Sequence, residues 1–534
     1  MSIQPRDYAV AAALLLLVVY RWFRKSSFHY LRGPTPEPIF GNTRQVFNGN
    51  NVELMLGWKK QFGSVFRYKS LFGQDKLVVS DPKALKYVLN SASYDFPKPE
   101  WLRALVEGFS GPNLIWSEGD FHKRQRKVMN PAFGIRETRA LFPVFKAHSE
   151  KLVSRWHELF ADVKEGGSTI IDIHHWMNTV TLNTISEAAF DFDMEREDNE
   201  LAKMYENFNE EAFPRSNAIM AGVMDLIPTA LVGPMFKYTP THQAKFLKRH
   251  KVHVYKVAEE AVRRRRAEIE GGNVPKDVFS LLVKANMAAD GSQSKLTDEE
   301  LLAQMAVIFV AGHDTTASTL TWLLWMLANN VDVQTKLRSE LRAAQAQSGS
   351  DLTLEDIEGI PYLQAVVKEA LRLSPPVFQS SRIASKDSVL PLSEPIETTS
   401  GELVQQLHVP KGTEIVVAIG PYQRDRTVWG EDADEFNPER WLNGEQAAKN
   451  GTNVGVTSNL LAFLSGTRAC IGWRFAMLEM QSLAAEMINN FEFRVEDPTK
   501  TVRPWGDNAV YPLVDGELDK GPQMPLRVSI VPRD

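Results

Sequence analysis

Thr297-Asp-Glu-Glu300 is followed by an almost unbroken apolar stretch that runs to Asn329. A threonine with a glutamate three positions on is a capping box, which places a helix start at about Asp298. Apolar character then continues for about 30 residues, or ~45 Å of helix. A helix so apolar on most sides must be buried for much of its length. Near its middle stands Ala311-Gly312-His313-Asp314-Thr315-Thr316. A glycine followed by carboxyl and hydroxyl groups is poor helix material. Two readings fit: a kink without chemistry, or a site where Ala311 and Gly312 leave room for a ligand while Asp314 and Thr315 relay protons.

The chain has 534 residues and one cysteine, Cys470. An internal disulfide and a multi-cysteine zinc site are both excluded. A bystander thiol, a nucleophile and a single thiolate ligand to a cofactor metal remain. Its surroundings are Phe463-Leu-Ser-Gly466-Thr-Arg468-Ala-Cys470-Ile-Gly472. Gly466 and Gly472 permit tight turns and close backbone approach. Arg474 to Met487 reads as a helix, with Phe475, Leu478, Leu483 and Met487 among good helix formers. Cys470 then lies near a helix N-terminus, where unpaired N–H groups and the dipole favour a thiolate. Phe463 is placed to shield the sulfur and Arg468 to bind an anion beside it.

This segment resembles the haem-thiolate signature of the cytochrome P450 superfamily, Phe-x-x-Gly-x-Arg-x-Cys-x-Gly, at every fixed position. The hexapeptide at Ala311 is similar to that family's oxygen-activation motif. Glu369-Ala-Leu-Arg372 followed by Pro375-Pro376, and Phe436-Asn-Pro438-Glu439-Arg440-Trp441, resemble its Glu-x-x-Arg helix and its Pro-Glu-Arg-Phe-like segment. The resemblance spans about residues 34–534, in the family's order and spacing. It implies a mixed fold, predominantly α-helical with small β-sheets. Its cofactor would be haem b with Cys470 as the axial metal ligand. A Glu369–Arg372–Arg440 network would act structurally. Arg468, Arg382 and Arg126 would meet the haem propionates, with Ala311, Gly312, Phe463 and Gly472 also lining the cofactor. His122 stands where the family usually has tryptophan, so hydrogen bonding to a propionate is its implied role. Lys123, Arg124 and Lys127 form either a solvated helix face or a docking patch for an acidic electron donor.

The implied activity is monooxygenation. One oxygen atom of O2 enters a lipophilic substrate and the other leaves as water, with Asp314 and Thr315 as the catalytic proton-delivering pair. No flavin or dinucleotide domain is recognisable, so NADPH would act indirectly through a membrane-bound NADPH–cytochrome P450 reductase, with cytochrome b5 a further candidate donor. The sequence style resembles fungal members, basidiomycete ones above all, which tailor terpenoids and other secondary metabolites; xenobiotic oxidation is a second use. Competing readings are a haem-thiolate isomerase or dehydratase, a peroxygenase needing no reductase, and a non-catalytic membrane haem carrier.

Hydrophobic residues make up 43% of the chain and its net charge is −5, which suits a large packed core and gives no reason to expect nucleic-acid binding. Tyr8–Tyr20 carries no charge and Trp22-Phe23 extend it. A secretory signal or a retained anchor would both look like this. Arg21, Arg24, Lys25 and Arg32 follow the run, whereas Arg6 and Asp7 cancel before it, which favours a single-pass anchor with the body in the cytosol. Gly33-Pro34-Thr-Pro36-Glu-Pro38 then reads as a stiff hinge. We therefore expect an anchor and basic flank at 1–32 and one catalytic domain at 33–534, held on endoplasmic reticulum lipid as in microsomal family members.

Val65–Tyr68 and Lys76–Ser80 read as a hairpin, Pro82–Leu89 as a helix, Ala140–Ala346 as mainly helical, and Thr413–Ile419 as a strand. Substrate contacts are expected from Trp101–Trp116, Phe213–Met224, the Ala311 helix, Val377-Phe378 and Val510–Leu513. Leu226–Phe236 reads either as core or as a segment dipping into the membrane. His174-His175 point about 100° apart on a helix and read as structural. Arg263–Arg266 reads as a solvated face, and Asn450-Gly-Thr452 as an unmodified glycosylation match.

Overall fold

The computed structural model describes residues 27–532 except 49, 165, 196–199, 207, 209–240, 273–275, 290, 292–293, 350, 443–452 and 507–509. The runs at Tyr8–Tyr20, Phe213–Met224, Leu226–Phe236 and Asn450–Thr452 lie outside the described residues. Among the described residues no helix is long and apolar enough to cross a membrane.

Helix dominates. The longer helices, in chain order, are α1 (Asn51–Phe62), α2 (Glu100–Ser110), α3 (Gly119–Met129), α4 (Phe142–Leu159), α5 (Ile173–Phe190) and α6 (His242–Glu270). They continue with α7 (Val278–Ala288), α8 (Asp298–Asn329), α9 (Val331–Ser348), α10 (Pro361–Leu373) and α11 (Trp473–Asn490). The capping box of α8 forms as its sequence predicts, Thr297 and Glu300 bonding reciprocally. The helix runs unbroken through Gly312, despite the locally poor helix formers around it. Thr315, Thr316 and Thr319 return their hydroxyls to carbonyls four residues back, which spares the helix a competing turn.

The strands are β1 (Val65–Lys69), β2 (Asp75–Val79), β3 (Ser168–Asp172), β4 (Gln379–Ile383), β5 (Ser388–Glu397), β6 (Leu403–Val409), β7 (Glu414–Ala418), β8 (Phe491–Val495), β9 (Val502–Trp505), β10 (Tyr511–Val514) and β11 (Pro525–Ile530). β1 and β2 make the expected hairpin, with Val65 opposite Val79. β2 then pairs in parallel with the distant β7, and β4 closes the sheet in the order β1-β2-β7-β4. The continuous apolar runs of β2 and β7 suit inner strands covered on both faces. The other sheets are β3-β11-β8, β5-β6 and β9-β10.

The expected helix from Pro82 forms, running as an α-helix to Lys86 and continuing as a π-helical turn over Tyr87–Ser91. One local expectation needs correction. In the arginine run, Arg263 and Arg264 are exposed but Arg265 is buried, paired with Asp277 at 3.0 Å, Asp191 at 3.1 Å and Glu268 at 2.7 Å. Successive helical residues point about 100° apart, so four in a row must send one side chain inward.

Candidate active site

Cys470 sits on a loop shaped by backbone rather than by packing alone. Its N–H donates to the Phe463 carbonyl at 2.8 Å, and Leu464 (φ 55°) and Gly466 (φ 67°) take left-handed conformations between them. A Cβ on Gly466 would lie 2.1 Å from the Leu89 carbonyl oxygen, so only glycine fits. Ser465 Oγ bonds Asn90 at 3.0 Å and Thr467 bonds Ser93 at 2.9 Å, fastening the loop. Gly472 behaves differently. It is the N-cap of α11 with φ −89°, and an added Cβ would come only to 3.8 Å of Phe133. Nothing in the turn requires it; its N–H faces the Cys470 sulfur.

The Cys470 side chain is exposed, yet burial by the surrounding protein pushes its thiol up, against the opposing pull of the Gly472 N–H and Arg126. Both observations hold if the sulfur opens onto an internal cleft rather than bulk solvent. The middle of α8 carries the same mark. Glu300–Phe309 is buried and so is Thr316–Leu324, but Ala311 is exposed and Val310, Gly312 and Thr315 are half-buried. Gly312 does not leave its space to a ligand: a Cβ there would stand 2.6 Å from Ile185 of α5. Its bareness lets the two helices close. The open positions of the helix are Ala311 and Thr315. The Thr315 hydroxyl donates to the Ala311 carbonyl at 2.7 Å, and the buried Asp314 accepts from the Tyr511 hydroxyl at 2.8 Å.

Behind the cysteine loop, Glu369 of α10 is wholly buried with its charge fully answered. It accepts from Arg372 Nε and Nη2 at 2.9 and 2.8 Å, Arg440 Nε at 2.9 Å, the Asn437 amide at 2.9 Å and Trp441 Nε1 at 2.9 Å. Arg372 also donates to the Gln423, Ala433 and Glu435 carbonyls. Gln423 carries the network onward, accepting from the amides of Leu461 and Ala462 at 2.8 and 3.0 Å. Those residues lead into Phe463, so the Glu369 cluster holds the loop that presents Cys470.

Cations gather beside this loop in excess of anions. Lys98 and Arg468 share one carboxylate, Glu118, with the Lys98 pair at 2.7 Å. Arg382 is buried and spends Nη1 on Ser380 Oγ and the Ser381 carbonyl, both at 2.8 Å. No carboxylate pairs with it among the described residues, and Arg468 Nε is buried without a partner. Burial, helped by Arg468, pushes Arg382 down to about 10. Burial takes Lys98 down to about 8, with Glu118 resisting. His122, bonded to the Tyr94 hydroxyl at 3.0 Å, falls to about 4 through burial and the neighbouring Lys98 and Arg468, so it is neutral at pH 7. Arg126 lies on the sulfur side, donating to the Ala469 carbonyl at 2.5 Å.

A family model for cytochrome P450 matches residues 31–510. The chain belongs to the cytochrome P450 family. Among curated relatives it is 33% identical to cytochrome P450 monooxygenase 205 of Postia placenta, over 93% of this chain and 91% of that one. It is 33% identical to cytochrome P450 monooxygenase 128 of the same fungus, over 98% and 97% of the two chains. Against cytochrome P450 monooxygenase claQ of Ampulloclitocybe clavipes the identity is 32%, over 97% and 96%.

Cytochrome P450 proteins carry haem, and the residues present fit it. A buried guanidinium without an anion and a buried orphan N–H are costly unless a ligand answers them. Two propionate carboxylates would do so, held by Arg382, Arg468 and Lys98. The open thiol of Cys470 is of the soft donor type that a haem iron takes.

Several residues of this cytochrome P450 site were not legible in its sequence. Lys98, Glu118 and Tyr94 join the site from distant segments, and no local pattern marks them; Tyr511 lies in the expected Val510–Leu513 segment, but its bond to Asp314 is not written in any local pattern. Other expectations change. Arg124 turns inward to Glu300 at 3.0 Å, which removes it from the exposed docking face; Lys123 pairs with Asp120 at 2.8 Å, and Lys127 is exposed. Phe378 is buried against Gly420, leaving only Val377 half-open. Val510–Leu513 is buried and bonded to α8 and β9. The Trp101–Trp116 segment does lie beside α8, because Gln304 accepts from the Leu114 amide at 3.1 Å. His175 is exposed, whereas His174 is buried, its ring edge-on to Tyr511.

Proposed function

We propose that this protein is a haem-thiolate monooxygenase that inserts one oxygen atom from O2 into a lipophilic small molecule, by hydroxylation in fungal secondary metabolism of terpenoid-like compounds. The observation that carries this reading is the opening at Ala311 and Thr315 in an otherwise buried helix, paired with an accessible thiol inside the protein. Haem, when bound, supplies the redox centre at which O2 is reduced and split.

Cys470 would ligate the haem iron, and Phe463 and the Glu369–Arg372–Arg440 network keep its loop in place. Arg382, Arg468 and Lys98 would hold the cofactor's carboxylates, His122 would add a neutral hydrogen-bonding group, and Arg126 holds the Ala469 carbonyl beside the sulfur. Thr315 delivers protons by turning its hydroxyl from the Ala311 carbonyl into the cleft. Asp314, the next residue, resupplies them. Val310 and Ala311 give the open part of α8 an apolar face, which suits a lipophilic substrate. Electrons come from an NADPH–cytochrome P450 reductase, to which cytochrome b5 is an addition. Residues 1–32 act as the endoplasmic reticulum anchor and 33–534 as one catalytic domain in the cytosol.

The test is product analysis by mass spectrometry with reductase, NADPH and a panel of lipophilic metabolites. A product heavier by one oxygen atom is expected, dependent on reductase. Isomeric or dehydrated products alone, or turnover with peroxide but not with reductase, would overturn it.

A further inference from the structure

Asp314, Ser318 and Trp322 of α8 stand four residues apart, so they rise one above another along the helix. All three are bonded to the start of β10. Ser318 Oγ donates to the Val510 carbonyl at 2.8 Å and Trp322 Nε1 donates to the same oxygen at 3.0 Å. The Tyr511 hydroxyl donates to Asp314 Oδ2 at 2.8 Å. Every member is buried.

The first two bonds, with the β9 pairing, are enough to dock the strand. A phenylalanine would fill the space of the Tyr511 ring equally well. What only tyrosine adds is the phenolic O–H, and that group is spent on Asp314. Burial holds Tyr511 far above its usual pKa, so it keeps its proton and acts as donor. The other titratable groups around this carboxylate are His313 on α8, His174 on α5 and, behind His174, Asp172 on β3. His174 meets the Tyr511 ring edge-on at 6.0 Å between centroids, and Asp172 accepts from the amides of His174 at 3.1 Å and Met524 at 2.8 Å.

We propose that Tyr511 is a positioning residue for proton delivery: its hydroxyl holds the Asp314 carboxyl group at the edge of the cleft, where it recharges Thr315. This rests on the reading of Asp314 and Thr315 as the proton-delivering pair. Tyr511 gives up no proton of its own.

The experiment uses the full chain with haem, reductase and NADPH, and O2 as the sole acceptor. One NADPH and one proton reduce O2 to one hydrogen peroxide when the O–O bond survives. Two NADPH and two protons reduce it to two waters when the bond is cleaved. In Tyr511→Phe the water-forming share should fall about tenfold, the factor expected of one hydrogen bond to a charged group, and peroxide per NADPH should rise. The solvent isotope effect on NADPH oxidation should grow. The infrared stretch of CO on the reduced protein should shift as in Asp314→Asn. The unfolding midpoint should move little, and Tyr511→Phe added to Asp314→Asn should do no further harm. If Tyr511→Phe leaves the peroxide share and the isotope effect at their native values while Asp314→Asn changes both, Tyr511 is merely structural. If Asp314→Asn changes neither, the proton-pair reading falls, and the role of Tyr511 with it.

Discussion

The backbone N–H of Cys470 is bonded to the carbonyl of Phe463 at 2.8 Å, across a loop with two left-handed residues. That bond fixes where the sulfur points before any metal arrives. Replacing Cys470 by histidine should therefore leave the loop folded and abolish the red-shifted absorption of the ferrous–CO complex that thiolate ligation produces. Persistence of that band would remove Cys470 as the axial ligand.

The two glycines of the loop should respond differently to alanine. Gly466→Ala meets the Leu89 carbonyl and a positive φ together. It should cost about 1–3 kcal/mol and lower the thermal unfolding midpoint. Gly472→Ala meets only ordinary contact with Phe133. Its stability should be near native, and any effect should appear in haem content measured per protein.

Glu369 is the sole carboxylate that Arg372 pairs with among the described residues, and both side chains are wholly buried. Glu369→Gln leaves the Arg372 charge uncompensated, at about 3–5 kcal/mol. Arg372→Lys should not rescue folding, because an ammonium cannot reproduce the planar fork that spans Glu369 and three carbonyls. Urea unfolding midpoints and yield of soluble holoprotein would measure both effects.

Thr315→Ala should leave the ferrous–CO spectrum intact and cut water or product formation by on the order of 10²-fold, with electrons released as peroxide. Thr315→Ser retains the hydroxyl and should restore most of the native yield. Native coupling in the alanine variant would exclude Thr315 from proton delivery.

Glu479 of α11 is fully buried, and among the described residues no well-formed hydrogen bond reaches its carboxyl oxygens, the Thr316 hydroxyl beside it being bonded to the Gly312 carbonyl. Burial pushes its pKa far up, with Thr316 opposing. The folded pKa is thus raised above the unfolded value of about 4.3. Its contribution to stability is full below that pH and is lost as pH rises towards the folded pKa, at up to about 1.4 kcal/mol per unit. Glu479→Gln does not titrate. The gap in unfolding free energy should therefore move in favour of the variant between pH 5 and 8, and a constant gap would show that the carboxyl is not neutral in the fold.

The sequence by itself determined what is written in local pattern. The capping box at Thr297, the spacing around Cys470 and the Glu369–Arg372 pair lie within a helix or a short loop, where residue type sets the conformation directly. Helix α8 accordingly begins and ends where its pattern says, and Gly466 is forced into its turn. The tertiary structure alone decided which distant groups share one environment. Gly312 is emptied for Ile185, Arg124 turns to Glu300, Lys98 and Glu118 join Arg468, and Tyr511 closes on Asp314 across 197 positions of chain. Each of these is a choice of partner made by burial: once a polar group leaves water it must take the nearest complementary group, and nearness in space is not encoded in any short run of sequence.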